Sequence, residues 1–104
     1  MAHTLIALYD HPESPEAFDR HYAESHSRLA LEFPGLRSFT GTHPGAGPDG
    51  TPPPYYFIAA LQFEDQPALD SALSGPEGAA AVADLANFAG AGVTLVNGPT
   101  IVYS

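Results

Sequence analysis

Three observations predict an α+β fold built on a single sheet. Four short strand-like runs alternate with two helical stretches along the chain. The first helical stretch bears one continuous apolar stripe, formed by Phe18, Tyr22, His26, Leu29 and Phe33 at steps of 4, 4, 3 and 4. Three of the strand runs are apolar on both alternating faces, so each of those strands needs cover on two sides.

"HTLIALY" (3–9), the first strand, sets Leu5, Ala7 and Tyr9 on one face and Ile6 and Leu8 on the other. Ser14 is an expected N-cap, with Pro15 at the first helical position and Glu16 in the first turn. The helix is predicted to run from Pro15 to Phe33. On its outer side Arg20–Glu24 and Glu24–Arg28 are opposite charges four apart. Pro34 and Gly35 end it, because proline disfavours a helical residue before it and glycine accepts a left-handed turn. "LRSFTGTH" (36–43) reads as a second strand, "PGAGPDGTPPP" (44–54) as a long loop and "YYFIAALQF" (55–63) as a third strand. A short helix over 64–73 is capped by Asp65 or Gln66 and broken at Ser74-Gly75-Pro76. A second helical piece spans 77–90, with Val82, Leu85 and Phe88 or Ala89 turned inward. The last strand covers 92–104, with a bulge or bend at Gly98-Pro99.

The order is β-α-β-β-α-β, which predicts a ferredoxin-like, four-stranded antiparallel sheet with the helices on one face. The chain's 104 residues form one domain, 1–104, with no internal repeat. One helical layer covers one sheet face. The other face calls for a partner, and a homodimer packed sheet on sheet supplies it.

Composition narrows the function classes. Three basic residues stand against 12 acidic ones, lysine is absent, and no cationic side chain comes after Phe39. Such a surface repels phosphate backbones and anionic lipid, so neither nucleic acid nor membrane is an expected partner. There is no cysteine, hence no disulfide and no thiolate chemistry. The N-terminus lacks the pattern of a signal peptide, and no apolar run reaches membrane-spanning length. A cytoplasmic location is expected.

Two blocks carry a family resemblance. In "SPEAFDRHYAESHSRLALEFPGL" the matching residues are Phe18, Tyr22, His26, Leu29, Pro34, Gly35 and Leu36. In "LSGPEGAAAVADLANF" they are Ser74, Pro76, Glu77, Asp84, Asn87 and Phe88. Both resemble the EthD family, and with the strands they extend the resemblance over nearly the whole chain. The resemblance implies a dimeric α+β barrel, with a cleft in each subunit between sheet and helices and the first helix's histidine facing it. Arg28 stands where the family often has proline, which is expected to straighten the helix or to add a charge near the cleft mouth. Relatives sharing this barrel include cofactor-free monooxygenases, polyketide cyclases, lactone isomerases and haem enzymes; fold alone does not choose among them.

The candidate site is His26 with Tyr22. Four residues apart on one helix, their side chains share a face. An imidazole beside a phenol in an apolar cleft suits general acid/base work, with the phenol orienting the ring or bonding a substrate oxygen. The alternative is a core histidine satisfied by a carbonyl. Phe18, Tyr22, His26, Leu29 and Phe33 are expected to line the ligand cleft or the core behind it. His21, five before His26, is read as solvent-facing and makes a poor metal pair with it. His3, His11 and His43 lie scattered near strand ends and loops. No metal site is expected, and no cofactor fingerprint is visible. The Gly-rich loop lacks the features of a phosphate loop, leaving a connector or a lid.

The expected function is handling of a small hydrophobic organic molecule, of aromatic or polyketide-like kind, by cofactor-free proton transfer. A non-catalytic binding or accessory role for such a molecule is the second reading, and a structural dimer with a filled cleft is the third.

Overall fold

The computed structural model describes residues 1–104. In chain order it contains β1 (His3–Tyr9), α1 (Pro15–His21), a π-helical turn (Tyr22–His26), α2 (Ser27–Leu31), β2 (Ser38–Thr42), β3 (Phe57–Phe63), α3 (Gln66–Ser74), α4 (Pro76–Phe88) and β4 (Val93–Pro99). The strands form one sheet in the order β2-β3-β1-β4, every neighbour antiparallel. This is the expected ferredoxin-like arrangement, with the helices on one face.

The helix starts obey the sequence signals. Ser14 accepts a hydrogen bond from the Ala17 amide at 3.3 Å, and Asp65 accepts one from the Ala68 amide at 2.9 Å. Gly35, at φ +78°, supplies the left-handed turn after the first helical segment.

The interior divides into two ends. Register pairs Tyr9 with Phe57, Ala7 with Ala59, Leu5 with Leu61 and His3 with Phe63 across β1 and β3. All eight are buried on the helix side. The small Ala7–Ala59 pair sits between a rich aromatic end and a mainly aliphatic end. Phe18, Tyr22 and Phe88 gather over Tyr9 and Phe57, while Leu69 and Phe33 lie at the other end, Phe33 6.4 Å from Phe63 by ring centroids. The opposite sheet face presents Ile6, Leu8, Ile58, Ala60 and Val96, none fully buried.

Several expectations need correction. The first helix is not regular to Phe33. It widens into the π turn, where the Ser27 amide donates to the Tyr22 carbonyl five residues back, and regular helix ends at Leu31. The extra residue rotates α2 about the helix axis relative to α1. Neither Arg20–Glu24 nor Glu24–Arg28 closes to an ion pair; each ion pair formed within 4.0 Å joins a histidine to an aspartate. Nor does Arg28 add a charge to the mouth of either of the two principal clefts: it is exposed and lines neither. On α4 the inward stripe is Ala81, Asp84, Leu85 and Phe88, so Val82, one step round the helix, is exposed. β4 ends at Pro99. The Thr100 amide still bonds the Ala2 carbonyl at 2.8 Å, but Ile101, Val102 and Tyr103 project outward.

Candidate functional site

The π turn determines which side chains meet. In a regular α-helix, residues five apart diverge; in a turn closing from i to i+5, they lie side by side. His21 and His26 consequently face the same carboxylate, Asp84 of α4. His26 Nδ1 lies 2.9 Å from Asp84 Oδ2, and His21 Nε2 lies 2.9 Å from Oδ1 and 3.0 Å from Oδ2. The Asn87 side-chain amide donates to Oδ1 at 2.9 Å, one helical turn along α4. Asp84 and His26 are both buried, at 8% and 6% exposure.

These contacts set the protonation states. Burial pushes Asp84 upward, but hydrogen bonds from Asn87, His21 and His26 outweigh it and hold the carboxyl below its ordinary 3.8. An ionised carboxylate only accepts, so Nδ1 of His26 carries the proton. Burial lowers His26 below 6.5, against the pull of Asp84 and with the help of His21. The ring is neutral at pH 7, and Nε2 holds its lone pair. Nε2 has no hydrogen-bond partner within the chain and is not wholly buried.

Two tyrosines adjoin this pair. The Tyr22 ring lies 5.2 Å from that of His26 and 5.8 Å from that of Tyr9. Burial pushes Tyr9 up to about 12, with the Tyr22 hydroxyl opposing the rise and Asp84 adding to it. Tyr22 is raised further, by burial first and then by Tyr9. Both phenols keep their protons and remain donors.

Two clefts flank the group. One, of about 580 Å³, lies between the start of α1 and the end of α4, with Ser14, Phe18, Asn87 and Phe88 in its wall. The other, of about 320 Å³, lies between α1 and the β2–β3 end of the sheet, lined by Phe18, Asp19, Tyr22, Ala23, His43 and Phe57. Both are of the size that small-molecule sites occupy. Phe18 borders both. Gly41 of β2 shapes the second: a β-carbon there would overlap the Phe57 ring, so glycine lets that ring lie across the strand as the cleft wall.

Of the candidate residues, Phe18 and Tyr22 line clefts. His26 sits beside Tyr22 without forming the wall of either cleft, and Phe88 packs over it at 4.7 Å. Leu29 and Phe33 line neither cleft: Phe33 is buried at the far end of the core beside Phe63, and Leu29 packs, partly buried, against the core. His21 is corrected: it is not solvent-facing but bonded to Asp84 and stacked on Phe88 at 5.2 Å. The π turn places it there, and a spacing of five gives no hint of that geometry. Asp84 and Asn87 carry part of the family resemblance, yet the sequence assigns them no role. An acid on the inward stripe with Ala81 and Phe88 is the signal that marks Asp84. His21 and His26 both hydrogen-bond to Asp84, but no group of three or more His, Asp or Glu is arranged to hold a metal ion. No helix is long and apolar enough to cross a membrane.

The structure is a ferredoxin-like sheet with its helices on one face, and between α4 and the first helical segment His21 and His26 meet on Asp84, with His26 and Asp84 buried. The EthD domain matches residues 10–92, and the chain belongs to the EthD family. It is 40% identical over 92 residues to an uncharacterised 11.0 kDa protein in the thcB-thcC intergenic region of Rhodococcus erythropolis, covering 88% of each chain. It is similar to an ethyl tert-butyl ether D (EthD) family protein of Bacillus halodurans C-125, with a TM-score of 0.90, 36% identity, and coverage of 97% of this chain and 100% of that one. At lower identity the fold alone is shared. A dimeric ferredoxin-like protein of unknown function from Jannaschia sp. CCS1 has a TM-score of 0.70 at 23% identity, over 96% and 100% of the two chains. SnoaB, a cofactor-independent oxygenase of Streptomyces nogalater, has a TM-score of 0.64 at 16% identity, over 98% and 94%.

Proposed function

We propose that the protein binds a small hydrophobic, aromatic organic molecule and acts on it by cofactor-free acid/base chemistry, with His26 as the proton-transfer residue. What carries this is the setting of His26: it is held through Nδ1 by Asp84, burial lowers its pKa below 6.5, and Nε2 has no partner within the chain and is not wholly buried. A base so held keeps one tautomer and one orientation, which is what proton abstraction requires. Asp84 is a positioning residue. In this reading Tyr22, a protonated phenol beside His26 and in the wall of the second cleft, turns its hydroxyl from Tyr9 to a substrate oxygen on which charge develops. Enolisation, cyclisation, isomerisation, or deprotonation before attack by oxygen all begin with that step. The active form is a homodimer in which a second copy covers the open sheet face.

A binding or accessory role is the second reading. It is favoured by one fact: His26 is not among the residues lining either cleft.

The test is a screen of neutral aromatic molecules for binding and turnover, with His26→Gln and Tyr22→Phe then assayed on each compound that binds. Catalysis is expected to give a His26→Gln protein that keeps ligand affinity and loses turnover. Unchanged turnover in His26→Gln overturns the role of His26, and turnover of no compound despite tight binding favours the accessory reading.

A further inference from the structure

The mouth of the second cleft carries a polar group unconnected with Asp84. His43, just past β2, approaches the Tyr56 carbonyl through Nδ1 at 3.3 Å. A carbonyl only accepts, so Nδ1 holds a proton, and in the neutral tautomer that this contact selects Nε2 carries a lone pair. Nε2 lies 4.0 Å from Asp19 Oδ1. The Tyr56 hydroxyl donates its one proton to the Asp19 carboxylate, 2.8 and 2.9 Å from the two oxygens. Every proton at this mouth is therefore committed inside the protein. Two acceptors remain toward a ligand, His43 Nε2 and Asp19 Oδ1, close enough for one donor group to reach both. Both side chains are more than half exposed, and no cationic residue lines the cleft. The chain's net charge is −9.

We infer that His43 and Asp19 are specificity-determining residues that select a ligand bearing a hydrogen-bond donor: a phenol or an aryl amine, and not a carboxylic acid. The inference rests on the reading that this cleft takes an aromatic molecule. Between the rings of Phe18, Tyr22 and Phe57 a flat ring finds apolar walls. Its hydroxyl or amino hydrogen bridges the two acceptors, while a carboxylate at this mouth meets Asp19 with like charge and finds no donor among His43, Tyr56 and Asp19 to offset it.

The experiment is titration of the full chain at pH 8, monitored by NMR signals of Tyr22, Phe57 and His43, with naphthalene, 2-naphthol and 2-naphthoate as matched probes. 2-Naphthol is expected to bind about fivefold to tenfold more tightly than naphthalene, the worth of one good hydrogen bond, and 2-naphthoate more weakly than either. His43→Phe and Asp19→Asn are each expected to bring the ratio of 2-naphthol to naphthalene affinity toward one. Equal affinities for all three probes, or a preference untouched by both variants, overturns the inference and leaves the cleft reading standing. Binding by none of the probes at these signals overturns both.

Discussion

Replacing Asp84 with alanine removes the acceptor on which His21, His26 and Asn87 converge. The cost can be worked contact by contact. His26 Nδ1–H, on a residue 6% exposed, is left with no partner, which costs about 1–3 kcal/mol. His21 keeps 28% of its side chain exposed and Asn87 lies at the surface, so both recover water and lose less, together about 1 kcal/mol. The sum is about 2–4 kcal/mol. For a domain of this length that lowers Tm by roughly 10–20 °C. The assay is thermal and urea unfolding at one fixed protein concentration, because association adds to apparent stability. Combining Asp84→Ala with His26→Leu in a double-mutant cycle isolates the pair, with an expected coupling of about 1–2 kcal/mol. A loss below about 0.5 kcal/mol for Asp84→Ala, or a cycle with no coupling, would refute the anchoring of His26 by Asp84.

The same geometry predicts three further outcomes. Because burial holds His26 below 6.5, the unfolded chain takes up that proton before the folded one does. Stability should thus decline as pH falls below about 6.5, and His26→Leu should flatten that part of a Tm-against-pH curve; an unaltered curve contradicts it. Gly41→Ala should cost about 1–3 kcal/mol and displace the Phe57 ring into the second cleft, visible as shifted Phe57 resonances and weaker ligand binding. Leu8→Lys, on the open sheet face, should yield a monomer by light scattering if that face is the seam between two copies, and should leave the mass unchanged if it is not.

The strand and helix order is legible because each element carries a local signal: period-two runs for β1 and β3, Ser14 and Asp65 as caps, Pro34-Gly35 as a stop. The stripe through Phe18, Tyr22 and His26 likewise points to the helix face that meets the sheet's aromatic end. The π turn is not legible. It is one residue inserted into a helix whose composition is ordinary, and its consequence, the pairing of His21 with His26 on Asp84, depends on contacts between α1 and α4 that are 63 residues apart at His21–Asp84. Val82 misleads for a different reason. Valine outranks alanine in hydrophobicity, yet α4 lies close enough to its neighbours that the inward positions hold Gly78 and Ala81. Small residues mark close approach, and a stripe drawn through the largest apolar side chains misses it. The mouth formed by His43, Tyr56 and Asp19 joins a strand end, a loop end and a helix, so only the folded chain brings it together.

The most direct measurement is a pH titration of His26 by long-range proton–nitrogen NMR. A single neutral tautomer at pH 7, protonated at Nδ1 and bare at Nε2, with a midpoint below 6.5, is the expected result. An imidazolium at pH 7, or a neutral ring protonated at Nε2, would contradict the assignment of His26 as the base.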